Sequence, residues 1–410
     1  MTESSRRLPR VALAVGILLG LYTLVAMSRR KPGLFAVNFE VYYYAAEAVL
    51  SGGDLYGARP PGHPAYGYLY PPVVALAFVP YALLPSPWPG FLLHTLVQVA
   101  SGVALGTLAL RVAERHGASL ERLDRALVVG YATLSVHVMP SLYYGNVNPT
   151  LALALGAAVV WVDRSESARA GVTAAAAALV KVFPAAVGLW FLRNRSWKAV
   201  GSAVAAGVGA LLASVALFGV DVHRRYVDVA LLGRLGQVDL AGGMSPSVAI
   251  FTLRRPLSVT FTGAPSWAVS LGAVVAVVPV VAYCYRSVST PVERLVGAYV
   301  TVAALLVALP SYFVYFPLAF LPLLALLYVL EGRPQRVFAA GVLVANAAYT
   351  LPTVERAIRR LPLPDAATGV AVDAVAPVFT FATPPLYGTV LCLAGCVLAV
   401  RERRTASASA

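Results

Sequence analysis

The sequence predicts an all-α polytopic membrane protein, a bundle of about 10–12 transmembrane helices. Three observations predict it. The 410 residues are 59% hydrophobic and only 12% charged, against roughly 25% charged in an ordinary soluble domain. The apolar residues fall in runs close to the ~20 residues that a crossing helix needs. Arg and Lys collect in short clusters between those runs, the distribution that orients membrane helices. That clustering also decides what the net charge of +14 means. The basic residues do not build one face, so nucleic acid is excluded as a partner and membrane lipid is expected.

Taken in order, residues 1–27 form a tail and a first helix. Arg6, Arg7 and Arg10 precede its apolar run, and Arg29, Arg30 and Lys31 follow it where a signal peptide would carry a small-residue cleavage site; a retained helix is expected. Residues 28–90 form a first external loop that includes a short re-entrant or interfacial helix at 71–85, interrupted by Pro80. A core at 91–219 holds spans at 91–110, 126–140, 149–163 and 198–219. Within it, 170–192 is too short to cross twice at full depth, and Lys181 and Pro184 interrupt it. Two short helices meeting near Lys181 are expected, because irregular backbone at depth is tolerated where it lines a wet cavity or is buried in protein. Residues 220–267 form a second long external loop. Spans at 268–285, 294–310, 316–330, 336–352 and 386–400 complete the C-terminal part, and 401–410 is a tail. The basic loops at 111–125, 164–169, 193–198 and 331–336 and the tail are expected in the cytoplasm, with both termini, in a cell membrane.

The stretch from Asn38 to Pro72 stands apart. It carries Glu40, Glu47 and Asp54 among seven tyrosines, with a Gly52–Gly53 turn. An interfacial aromatic belt accounts for the tyrosines but not for three carboxylates beside nearly uncharged runs. Polar loops on a rigid scaffold carry function. A transfer to a hydroxyl needs a base within reach of that hydroxyl and cations where the leaving group gathers charge. Glu40, Glu47 and Asp54 are the candidate bases. Glu40 is placed best, near the first helix; Glu47 also reads as a solvated face and Asp54 as a turn residue. Tyr43 and Tyr70 are candidate substrate contacts.

Lys181 lies deep in an apolar segment, where a charge costs about 2.5–3.5 kcal/mol. Either it snorkels or it meets an anion, most simply a phosphate. Arg254 and Arg255 match phosphate geometrically; lipid headgroups offer the same chemistry. Asn146 and Asn148 suit a helix cap or sugar hydroxyls, and Tyr312 suits an anchor or a substrate contact. The five histidines have no ligand spacing, so no metal is assigned. Cys284, Cys392 and Cys396 lie in apolar runs and suggest small core residues rather than a disulfide framework.

These motifs, in this order, resemble glycosyltransferase family 87, the polyprenyl-phosphate-mannose-dependent mannosyltransferases and their uncharacterised relatives. The resemblance rests on Phe39, Val41, Tyr42, Tyr43, Ala45 and Ala46, on Gly52-Gly53-Asp54-Leu55-Tyr56, and on Tyr68-Leu69-Tyr70-Pro71-Pro72. It continues with Gly145-Asn146-Val147-Asn148, Lys181-Val182-Phe183-Pro184, and Met244-Ser245-Pro246-Ser247 running to Arg254. It implies a GT-C fold with a catalytic first external loop. The implied reaction moves a sugar, mannose by family, from a polyprenyl-phosphate donor to a glycan or glycolipid acceptor on the outer face, with inversion. No cofactor is assigned; the polyprenyl-phosphate sugar is the donor substrate. The implied base is an acid at the start of the first external loop, and Asn38 stands at that position. An amide cannot take a hydroxyl proton, so either Glu40 has taken over or activity is weakened or altered. Positions i and i+2 point to different helix faces, so a substitution of one for the other needs a backbone shift. The Tyr312–Tyr315 segment also lacks a histidine found in many relatives. Two rivals remain: a lipid or glycolipid flippase, which two broken helices in corresponding halves would mark, and a non-catalytic relative that binds the lipid-linked sugar.

Overall fold

The computed structural model describes residues 3–234, 240 and 242–408. Asp239 of the second outer segment lies outside them. The described residues form α1 (Glu3–Arg30), α2 (Val37–Ser51), α3 (Val79–Ala82), α4 (Pro87–Arg115), α5 (Arg122–Leu134) and α6 (Met139–Tyr144). Next come α7 (Asn148–Asp163), α8 (Ser167–Val180), α9 (Val187–Arg193), α10 (Trp197–Tyr226), α11 (Arg254–Thr260) and α12 (Ser266–Cys284). The chain ends with α13 (Pro291–Ala308), α14 (Phe320–Val329), α15 (Gly332–Ala345), α16 (Leu351–Ile358), α17 (Asp365–Phe381) and α18 (Pro384–Ala408). Among the described residues the only extended pairing is a single bridge between Ile250 and Tyr312. The protein is an all-α polytopic membrane protein: among the described residues six helices are long and apolar enough to cross a bilayer, beside several shorter apolar helices.

Burial follows composition. Every residue of α14, FLPLLALLYV, is buried, as expected of a helix that is apolar all round. It forms the centre with α13. By contrast α10 has only Ala199 and Ser214 buried, which suits a helix with one face toward lipid. Where helices approach closely, glycine makes room. A Cβ on Gly341 of α15 would stand 2.6 Å from the carbonyl oxygen of Gly388 in α18. Below that contact Cys392 donates to the Phe338 carbonyl at 3.4 Å, so α15 and α18 run antiparallel.

The contacts sort the loops into two ends. At one, Arg6 pairs with Glu121, Arg10 with Asp124 at 2.8 Å, and Arg294 with Asp163 at 2.9 Å. Tyr328 donates to Asp124 at 3.3 Å, and Arg193 donates to the Tyr285 carbonyl at 2.6 Å. This end gathers the basic loops. The opposite end carries the 31–86 segment, the 135–147 turn, residues 227–234 and 242–265, the 309–313 link and α16 with α17. Here Tyr143 donates to the Lys31 carbonyl at 2.8 Å, and Arg225 pairs with Asp54 at 2.7 Å.

Two local features shape the site. Segment 72–82 makes only short helical turns before α4 begins. The α8 helix stops at Val180, Lys181 is extended at φ −141° and ψ 131°, and the chain turns back through Phe183–Ala186 into α9. Pro184 has no N–H to continue the α8 ladder and disfavours the α conformation at the residue before it, so the break has a local cause.

Candidate functional site

Lys181 is the centre of a polar cluster at the inner edge of the loop-bearing end. Its side chain is buried. Its Nζ donates to the Asn146 Oδ1 at 3.2 Å and to the Asn148 Oδ1, and it stands 4.4 Å from the centre of the Tyr315 ring. No carboxylate reaches it among the described residues. Asn148 also donates through Nδ2 to Ser141 at 3.2 Å and to the Val314 carbonyl at 2.7 Å. The cap reading of the two asparagines gives way to this arrangement. The residue before α7 is Val147, without a side-chain cap, and the amides are turned toward the cation instead.

The 139–148 turn is held against α2. Gly145 has φ 71°, and a Cβ there would stand 2.5 Å from the Cβ of Phe39; only glycine permits this approach. Ala36, also left-handed at φ 59°, donates its N–H to the Tyr143 carbonyl at 3.0 Å. A buried alanine in that conformation costs about 1–3 kcal/mol, and the turn holds it there. Together these contacts fix where α2 starts.

The register of α2 then separates its polar residues. Asn38 and Tyr42 are four apart and share a face. Tyr42 is buried, stacks on Phe78 at 4.4 Å and meets the Tyr70 hydroxyl at 3.0 Å. Burial pushes its phenol pKa up, with the neighbouring Tyr70, Tyr315 and Tyr68 adding to the shift. Asn38 is half-buried, and its amide makes no hydrogen bond among the described residues. Glu40, two positions on, faces elsewhere: its Oε2 lies 2.9 Å from the His63 Nδ1. The His63 Nε2 meets the Gly33 carbonyl. A carbonyl and a carboxylate both accept, so the ring between them carries two protons. Its pKa is raised, first by the Gly33 carbonyl; burial opposes the rise, and Glu40 adds to it.

Residues 242–265 close the other flank. Phe251 donates to the Ser311 carbonyl at 2.9 Å and Phe313 to Ala249 at 3.2 Å, tying residues 249–253 to the 311–313 link. Tyr312 is exposed and its ring lies 6.1 Å from Tyr315. Arg255 is fully buried and donates to the Ser245 and Val248 carbonyls at 2.8 and 2.6 Å; burial lowers its pKa to about 10. It braces the turn that carries Ser245, whose hydroxyl meets Ser247 at 2.8 Å. Arg254 is half-buried, with a buried Nε that has no partner, and burial lowers its pKa. Of the two arginines, Arg254 is the one free to receive an anion.

Two other candidates stand apart from the Lys181 cluster. Asp54 accepts from Arg225 and from the Tyr56 backbone at 3.1 Å. Tyr43 donates to the Leu84 carbonyl at 3.0 Å. Conversely, His94 has no sequence signal beyond being a histidine. It is buried under Phe39, Tyr42, Phe78 and Tyr81, and neither ring nitrogen has a well-formed hydrogen bond.

A buried cation held by two amide oxygens and a phenol ring, with no carboxylate partner among the described residues, can meet an anion. Glycosyltransferase family 87 matches residues 68–311, more than half of the chain. The chain belongs to glycosyltransferase family 87. The family match takes in Tyr70, Asn146, Asn148, Lys181, Ser245, Arg254 and Arg255, and leaves out Asn38, Tyr43, Glu40 and Asp54. The chain is also 28% identical over 217 residues to the polyprenol-phosphate-mannose-dependent alpha-(1-2)-phosphatidylinositol pentamannoside mannosyltransferase of Mycolicibacterium smegmatis. That match covers 52% of this chain and 49% of the relative, so the chain spans about half the relative's length.

Proposed function

We propose that this family 87 member moves a hexose, mannose, from a polyprenyl-phosphate donor to a glycan or glycolipid acceptor on the external face, with inversion. The observation that carries the reading is Lys181, a buried ammonium whose partners are two amide oxygens and a ring rather than a carboxylate. A buried cation without a counter-ion attracts an anion strongly, and the donor's phosphate supplies one. In the transfer, the bond between the sugar C1 and the phosphate oxygen breaks as the acceptor oxygen bonds to C1 from the opposite side. The electron pair leaves with the phosphate. Lys181, with Arg254 on the adjoining segment, stabilises that charge. Tyr42, Tyr70 and Tyr312 offer rings and hydroxyls to the sugar. The acceptor proton goes to Glu40, which must exchange its His63 contact for the acceptor hydroxyl.

One observation favours a second reading, a relative that binds the lipid-linked sugar without transferring it. On the α2 face that Tyr42 shares, the available side chain is the Asn38 amide. Transfer of radiolabelled mannose from polyprenyl-phosphate mannose in membranes separates the readings. An active wild type that Glu40→Gln reduces by about 10²-fold or more establishes Glu40 as base. Undiminished transfer by Glu40→Gln removes it. A silent wild type that gains transfer with Asn38→Asp establishes the binding reading.

A further inference from the structure

The basic end contains a second built site, independent of the transfer chemistry. A cleft of about 520 Å³ opens where α4, α7, α13 and α18 end or begin. Arg115, Arg164, Arg294 and Arg403 line it, one from each helix or the residue after it, with His116 and Asp163. Arg294 is neutralised by Asp163 at 2.9 Å. Among the described residues Arg115, Arg164 and Arg403 have no carboxylate partner. His116 donates through Nδ1 to the Val112 carbonyl at 2.7 Å, while its Nε2 is buried without a partner. Four arginines converging on one carboxylate repel one another, and this repulsion persists unless an anion enters. Generic attraction of basic loops to a charged membrane surface needs no concavity. Here there is one, in the ~300–1,000 Å³ range of small-ligand sites. Guanidinium forks from different helices match phosphate oxygens, and basic pockets between membrane helices take lipid headgroups.

We infer that this cleft binds a phosphate group, and that the phosphate is the headgroup of an anionic phospholipid of the surrounding leaflet, joining the ends of four helices. The Arg-rich end of a membrane protein lies at headgroup depth, where such a lipid is concentrated and free phosphate must compete with it.

The test uses the purified full-length chain, stripped of lipid in neutral detergent. Its thermal midpoint is measured with added phosphatidylglycerol, with phosphatidylcholine, and with inorganic phosphate at the same phosphate concentration. A ligand that binds only the folded state raises the midpoint. The expected result is a rise of several degrees with phosphatidylglycerol alone, lost in the Arg115→Gln/Arg164→Gln double variant. An equal rise with phosphatidylcholine, or an undiminished rise in the variant, overturns the site. An equal rise with inorganic phosphate overturns the lipid assignment. If the double variant does not fold, native mass spectrometry of the wild type decides. Phosphatidylglycerol retained in preference to phosphatidylcholine supports the site, and retention without preference overturns it.

Discussion

At Lys181 two magnitudes compete. Placing an ammonium at depth costs about 2.5–3.5 kcal/mol. Removing it leaves the Asn146 and Asn148 oxygens without a donor, at about 1–3 kcal/mol for a buried acceptor. The two nearly cancel, so Lys181→Met is expected to keep the thermal midpoint within a few degrees. Activity has no such compensation: losing one preorganised charge at a developing oxyanion costs about 10²–10³-fold. Unfolding in detergent and mannose transfer, measured on the same preparation, check the split; a parallel loss of both makes Lys181 merely structural. The sequence already marked Lys181 by its isolation in an apolar run. It did not mark the Glu40–His63–Gly33 contact. That contact joins residues 23 and 30 positions apart across an irregular loop, where no periodicity connects them. It left the role of His94 unmarked for the same reason: its neighbours come from α2 and the 72–82 turns, which only the folded chain brings together.

At the scale of elements, the first outer segment is clasped to the start of α2 by His63. The sign of its pH dependence follows from the raised pKa. An imidazolium with a higher pKa in the folded state contributes fully below the unfolded value of about 6.5 and is lost as pH rises through the folded value. The loop should therefore loosen on the alkaline side. Chymotrypsin cleavage after the exposed Tyr66 is expected to be slower at pH 6 than at pH 9 once the enzyme's own pH profile is divided out. His63→Ala is expected to abolish the difference, and a difference that survives in this variant assigns it to another group. The α15–α18 contact makes a stronger demand. Gly388→Val would drive a branched side chain into the Gly341 carbonyl and the Ala345 backbone, which cannot retreat as a flexible side chain does. A loss of about 2 kcal/mol or more is expected, read as a lowered thermal midpoint; an unchanged midpoint would show that the helices can separate at no cost. Close approach of this kind was not legible beforehand, since a glycine in an apolar run carries no record of its partner. The helices α16 and α17 were also not legible. A search for runs of about 20 apolar residues passes over short helices broken by Asp365, Asp373 and Pro377, and reads 353–385 as a connection.

For the whole molecule, the membrane class and the family were legible because both rest on features that survive without coordinates: mean hydropathy and an ordered set of motifs. Orientation depends on charge, and the fair comparison is between short connections. At the basic end, those linking α4 to α5, α7 to α8, α9 to α10 and α12 to α13 all carry or adjoin arginine or lysine. At the opposite end, 135–147 and 309–319 contain neither. The longer segments at that end do carry Lys31, Arg59, Arg234, Arg254, Arg255, Arg356, Arg359 and Arg360, and Arg224 and Arg225 end α10 beside them, but basic residues in short links near helix ends dominate topology. The basic end should therefore face the cytoplasm, and Asn38, Glu40 and the aromatic loop should face outward. The native thiols Cys284, Cys392 and Cys396 are buried, so an impermeant maleimide should report only on introduced cysteines. Ser51→Cys and Thr262→Cys, both at exposed positions of the loop-bearing end, are expected to label on intact cells. Lys198→Cys, exposed at the start of α10, is expected to label only after lysis. The reverse pattern would put the Lys181 cluster on the cytoplasmic side, and the external transfer would have no site at which to occur.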